Sequence, residues 1–205
     1  MPADGALALG ALACALGFAA VARAVGREWC RALDERLLEM MPPPAPATRL
    51  DSAMRDFSAL GGDTIRLLFL IAGSAGLAAA GAWRAAALFF VLSLASRLLV
   101  VLLKQVVRRE RPPADAHAVP TFTSSFPSGH SLMAMVMLVL AAQLMTMGAP
   151  WALRALMLAL AAGLTIAIGV ARIYLRVHWP SDVLAAWFGG GAWVLGALLV
   201  YRHFG

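Results

Sequence analysis

Six predominantly apolar runs limit what this chain can fold into. They are Ala6–Val25, Ile65–Trp83, Ala85–Leu103, Ser128–Met147, Trp151–Val170 and Val183–Val200. Each reaches or approaches the ~20 residues needed to cross ~30 Å of hydrocarbon as a helix. Lipid offers backbone N–H and C=O groups no partner, so a spanning segment must satisfy them internally, as a helix does. The expected fold class is therefore all-α: a polytopic membrane helix bundle with six transmembrane helices plus an interfacial amphipathic helix. Charged residues are only 14% of the chain and mean hydropathy is +0.79, whereas a soluble domain is roughly a quarter charged. At 205 residues the chain holds one such bundle, so residues 1–205 are read as a single domain. The first run has a rival reading as a signal peptide, because Ala22-Arg23-Ala24 resembles a small-x-small cleavage site. The opening Met-Pro-Ala-Asp-Gly carries no Lys or Arg, which a signal peptide would have, so a first span is preferred.

The interfacial segment covers residues 27–60. Within Arg27–Met41, Trp29, Leu33, Leu37 and Met40 or Met41 recur at helical spacing, opposite Arg27, Arg31, Asp34, Glu35 and Arg36. This stretch is too charged to span and should lie in the headgroup plane; the alternative is a soluble cap helix packed on the bundle. Pro42-Pro43-Pro44-Ala45-Pro46 ends it, and Leu50–Leu60 forms a second short interfacial helix. In the last span, Gly189-Gly190-Gly191, Gly196 and neighbouring alanines favour close packing inside the bundle. Net charge is +6, and all 17 basic residues except Lys104 are arginine. Beside apolar spans, arginine points to anionic headgroups and phosphate rather than to nucleic acid. Cys14 and Cys30 lack metal-site spacing and read as small hydrophobes.

Three polar clusters carry the chemistry. Lys104 to Pro112 reads Lys-x6-Arg-Pro; a seven-residue step is nearly two helical turns, so Lys104 and Arg111 share a face at the mouth of the third span. Arg97 lies seven residues further back on that stripe. A charge there should face the protein interior and find a polar partner, so Arg97 is read as a structural support for the site. Arg108 and Arg109 read as ordinary juxtamembrane charges. Phe126–Ser131 is F-P-S-G-H-S: Ser128 is a natural N-cap, Gly129 admits close approach to the backbone, and the first-turn amides favour an anion near His130. As a lone tetrapeptide it is no more than a capped helix start. Finally, Ala171–Asp182 places Arg172, His178 and Asp182 as Arg-x5-His-x3-Asp. An imidazole is a workable nucleophile toward phosphorus when a carboxylate holds its tautomer and cations neutralise the phosphoryl oxygens. Pro180 suits the first turn of the following helix. His117 and His203 are assigned no role.

Taken in order, the motifs at 104–112, 127–130 and 172–182 resemble those of the type 2 phosphatidic acid phosphatase family, membrane lipid phosphatases related to vanadium haloperoxidases. The resemblance extends over the six-span layout and fades before Ile65. It implies that His178 attacks phosphorus to form a phosphohistidine, oriented by Asp182. It implies that His130 protonates the departing lipid oxygen and then activates water. Lys104, Arg111, Ser128, Gly129 and Arg172 are implied as phosphate ligands, with no metal or other cofactor. One position departs from the pattern: the third motif usually begins Ser-Arg, whereas Ala171 precedes Arg172. Losing one hydroxyl donor to a charged oxygen is worth about 1.5–3 kcal/mol, which weakens phosphate binding without removing the nucleophile.

The implied activity is hydrolysis of a lipid phosphate or diphosphate in the bilayer. Undecaprenyl diphosphate is favoured, then phosphatidylglycerophosphate or phosphatidic acid. A phosphotransferase using the same intermediate, and a non-catalytic lipid-binding or transport relative, are the alternatives; the oligomeric state is left open. Orientation draws two arguments apart. Of the 17 basic residues, Arg84, Arg154 and Arg202 lie opposite the motifs and Arg97 within the membrane, leaving thirteen on the motif side. The positive-inside rule would place that side in the cytoplasm. The resemblance implies the reverse: a bacterial plasma membrane protein with its site on the external, periplasmic face.

Overall fold

A computed structural model describes residues 2–113, 118–119, 121 and 123–204, with the side chains of Pro2, Ala3 and Phe204 excepted; His117 lies outside the described residues. Every regular element among them is helical. In chain order they are α1 (Pro2–Ala24), α2 (Glu28–Glu39), α3 (Arg49–Leu60), α4 (Asp63–Ala79), α5 (Trp83–Val107), α6 (Gly129–Ala134), a π-helical turn (Met135–Val139), α7 (Leu140–Met145), α8 (Trp151–Tyr174) and α9 (Pro180–Phe204).

Four helical segments are long and apolar enough to cross a membrane: Asp4–Ala24, Trp83–Val107, Trp151–Tyr174 and Pro180–His203. A fifth candidate is α3 with α4, bent by 50° at Gly61–Gly62. The six expected runs therefore reduce to four or five by length and composition. Two of them fall short for local reasons. The run Ile65–Trp83 gives a 17-residue helix, because Gly81 at φ 77 turns the chain and Trp83 already begins α5. The run Ser128–Met147 gives only Gly129–Met145, an apolar helix shorter than 18 residues that contains the π-helical turn.

The core forms where α5, α9 and the α6–α7 segment meet. Phe89, Leu132, Val136 and Leu140 are fully buried there. Helix α9 lies between α1 and α6, and its small residues permit the approach. A side chain at Gly190 would sit 2.8 Å from Met135 and 3.2 Å from the Leu132 carbonyl, so only glycine fits. Gly196 faces open space and takes no part.

Helix α2 has one exposed and one buried face. Trp29, Leu33, Leu37 and Met40 are exposed. Its other face is packed on the bundle, with Cys30, Asp34 and Leu38 buried. Arg176, at φ 58, locks this arrangement by donating to the carbonyls of Leu38 and Met41, both at 2.8 Å.

Candidate active site

The three polar clusters converge at one end of the bundle. They line a cavity of ≈ 430 Å³ bounded by Lys104, Arg111, Gly129, His130, Arg172 and His178, with Arg66 and Arg97 on the same wall. His178 stands in the short connection between α8 and α9, almost wholly buried. Pro180 opens α9 two residues later, so Asp182 comes about one helical turn beyond the ring. His178 Nδ1 faces Asp182 Oδ2 at 3.5 Å, and Nε2 faces the Arg111 guanidinium at 3.4 Å. The ring is thus backed by a carboxylate on one nitrogen and presents the other among cations. Burial pushes the His178 pKa well below the usual imidazole range, against the opposing pull of Asp182. A neutral imidazole is the nucleophilic form.

Asp182 is completely buried and held from three sides besides the ring. Oδ2 accepts from the Trp179 amide at 3.0 Å and from the Ser125 hydroxyl. Oδ1 accepts from Arg109 Nη1 at 2.6 Å. Arg109, which the sequence presents as a plain juxtamembrane charge, is a buried bridge. Its Nη2 donates to Asp34 Oδ2 at 2.6 Å and its Nη1 to Ser181 Oγ at 2.7 Å, while its guanidinium stacks 5.7 Å from the Trp179 ring centre. Asp34, on the inner face of α2, also accepts from the Ser181 amide at 2.9 Å and hydroxyl at 2.6 Å. Burial works against the Arg109 charge, but Asp182 and Asp34 outweigh it and raise its pKa. Helix α2 is therefore wired to the buried carboxylate through one guanidinium.

The cation group is held by the loop after α5. Lys104 Nζ donates to the Ser124 carbonyl at 2.6 Å and to Thr123 Oγ1 at 3.1 Å. Arg111 Nε donates to the Thr123 carbonyl at 2.8 Å, and its Nη1 to the Val177 carbonyl. Burial lowers the Arg111 pKa, with Asp182 pulling the other way. Arg172, in the last turn of α8, donates from Nη1 to Ser58 on α3 at 2.6 Å, while its buried Nε has no partner. An unpaired buried guanidinium N–H beside an anion-sized cavity is a donor waiting for an acceptor.

Ser128 caps α6 and is fully buried; its hydroxyl lies 2.9 Å from that of Ser131, and its amide donates to the Asp182 carbonyl at 3.2 Å. It fixes the turn that presents Gly129 and His130, which do line the cavity. Gly61 at the α3–α4 break packs against His130: a Cβ there would stand 3.0 Å from the ring. Ala171 is fully buried and does not border the cavity. His203 lies at the far end of α9 and takes no part in the site.

Sequence reasoning singled out Lys104, Arg111, Ser128, Gly129, His130, Arg172, His178 and Asp182, and the fold brings all eight together. It missed Arg109, Asp34, Ser125 and Ser58, whose roles depend on long-range packing and leave no spacing signal. It also expected Arg97 to find an interior partner. Instead Arg97 lines the cavity and, among the described residues, makes no ion pair or hydrogen bond.

Comparison with known proteins bears on the family and the fold. The family model described as PAP2 superfamily matches residues 85–204. Phosphatidylglycerophosphatase B of Bacillus subtilis (strain 168) is 33% identical over 107 residues, covering 51% of this chain and 49% of that protein. The match thus spans about half the length of that curated relative. The crystal structure of a transmembrane PAP2-type phosphatidylglycerolphosphate phosphatase from Bacillus subtilis superposes with TM-score 0.87 at 23% identity, over 96% of this chain and 98% of that one. Aquifex aeolicus LpxE superposes with TM-score 0.62 at 24% identity, over 81% and 94%. At those identities the two structures speak to the fold.

Proposed function

This chain belongs to the PAP2 superfamily, and from that premise we propose that it is an integral membrane phosphatase acting on a lipid phosphate or diphosphate. The observation that carries the reading is His178: Nδ1 faces the buried Asp182 while Nε2 opens onto a cavity lined by Lys104, Arg111 and Arg172. Nε2 attacks phosphorus, an N–P bond forms and the P–O bond to the lipid breaks. His130 supplies the proton to the departing oxygen. Water, deprotonated by His130, then breaks the N–P bond and releases phosphate. Lys104, Arg111, Arg172 and the Gly129 amide hold the phosphoryl oxygens and meet the charge that develops on them. Ser128 contributes by fixing the turn that carries Gly129 and His130.

Undecaprenyl diphosphate and phosphatidylglycerophosphate are the leading substrates, with phosphatidic acid behind them; the named activity of the Bacillus relative supports the second. The test is phosphate release by purified protein from a panel of these three lipids. Release from none of them would overturn the reading.

Three cations around one phosphoryl group can do the charge neutralisation that a divalent ion does elsewhere. Activity should therefore survive excess EDTA. Loss on chelation, with recovery on adding magnesium, would require a different mechanism.

We further propose six crossings, with the short Gly129–Met145 segment and the bent α3–α4 pair each counted as one, and the site on the external face. A reporter fused after Gly205 should then fluoresce in the cytoplasm. Alkaline phosphatase activity from the same position would reverse the orientation.

A further inference from the structure

Arg97 occupies a costly place. It lies in α5 ten residues before Val107, about 15 Å along the helix from its motif-side end. A charge at that depth in a span needs a counter-charge or a polar cavity, yet no described carboxylate pairs with it. What it does face is the wall of the cavity, together with Arg66, whose own guanidinium pairs with the exposed Asp63 at the start of α4. Arg66, its partner Asp63 and His130 all line the cavity, and a phosphate at Arg66 would take the place Asp63 now holds on that guanidinium.

A second cavity also borders Arg97. It has a volume of ≈ 460 Å³, runs along the outward face of α5 past Phe90, Leu94 and Leu98, and is almost wholly apolar. Arg97 and Val101 border both cavities. Arg97 therefore stands between the polar chamber at His178 and the apolar groove on α5. A lipid whose phosphoryl group reaches His178 has its tail in the bilayer, so its leaving group points from His178 toward Arg97. The tail then continues into the α5 groove.

We infer that Arg66 and Arg97 form a second anion subsite, which takes a phosphate carried on the leaving-group side of the scissile bond. The substrate class is a lipid that keeps a phosphate after hydrolysis, either a prenyl diphosphate or a glycerolipid with an internal phosphodiester. Phosphatidic acid, whose leaving group is a neutral alcohol, has nothing to place there. The inference rests on the hydrolase reading above and narrows it. In a diphosphate the second phosphorus adjoins the first; in phosphatidylglycerophosphate a glycerol separates them.

The test compares kcat/KM for undecaprenyl diphosphate, phosphatidylglycerophosphate and phosphatidic acid in wild type, Arg66→Gln, Arg97→Gln and Arg97→Lys. Losing one charge-assisted contact should lower the ratio of the preferred substrate to phosphatidic acid by about tenfold in each glutamine variant. Arg97→Lys should fall between, since an ammonium keeps the charge without the fork. A fall seen with the diphosphate alone, or with the phosphodiester alone, identifies which lipid the subsite serves. Equal effects on all three lipids would overturn the subsite while leaving the hydrolase standing. A binding measurement keeps the two ideas apart should the wild type hydrolyse none of them. Inorganic diphosphate should then raise the Tm of wild type more than orthophosphate does, and Arg97→Gln should abolish that difference. No difference in wild type would overturn the subsite on its own. Arg97 makes no described contact to lose, so the variant should fold; its Tm without ligand checks this.

Discussion

His178→Ala should reduce phosphate release by about a thousandfold or more, since removing a nucleophile costs far more than removing one ligand of the same phosphate. The ring is fully packed, and deleting it leaves a void, so His178→Asn should be made alongside to preserve much of the volume. Both should keep the fold and still bind a lipid phosphate through Lys104, Arg111 and Arg172. Brief incubation of wild type with labelled substrate, quenched in alkali, should trap an acid-labile phosphoprotein that both variants lack. Turnover close to wild type in either variant would remove the phosphohistidine.

The same residue sets a pH expectation. Burial lowers the His178 pKa and Asp182 raises it, with burial prevailing. A lowered pKa means that the neutral ring persists to pH values below the ordinary ~6.5 of imidazole. The acid limb of kcat/KM should accordingly fall below pH 6.5, once the substrate's own ionisation has been measured and removed. An acid limb due to His178 at or above that value would mean that the ring ionises like a free one.

What the sequence revealed divides along a physical line. The apolar runs and the three motifs depend on residues close in sequence: a span needs consecutive apolar residues, and His178 and Asp182 meet because they are one helical turn apart. Those features were legible. The crossing number was harder, because Gly81 ends one apolar run early and the bend at Gly61–Gly62 sets α3 and α4 at an angle, which hydropathy averages over. The side chains around Asp182 were not legible. Asp34, Arg109 and Ser125 come from α2 and from the loop after α5, and no local pattern marks Arg109 off from Arg108. Arg97 was misread for an instructive reason. A charge in a span is expected to find a protein partner, whereas Arg97 borders both the site cavity and an apolar groove on α5.

Arg109→Gln should be strongly damaging although Arg109 does not border the cavity. It would leave two carboxylates, Asp34 and Asp182, buried without the guanidinium that each contacts at 2.6 Å. Breaking a buried ion pair from one side costs about 3–5 kcal/mol, which a thermal or denaturant unfolding measurement would register. Arg109→Lys should recover little, because one ammonium lacks the fork that bridges both carboxylates and Ser181. Adding Asp34→Asn to Arg109→Gln should restore part of the stability by neutralising one orphaned charge, and a double-mutant cycle measures how much. A purely structural role would end there. The geometry predicts more, because Arg109 also draws on the carboxylate that backs His178. Without that cation, the Asp182 charge acts undiluted on the ring and favours its protonated form, so the His178 pKa rises. The acid limb of kcat/KM should therefore move upward in Arg109→Gln, measured at a temperature where the variant is fully folded. A variant that is destabilised but keeps the wild-type pH profile would reduce Arg109 to a structural tie between α2 and α9.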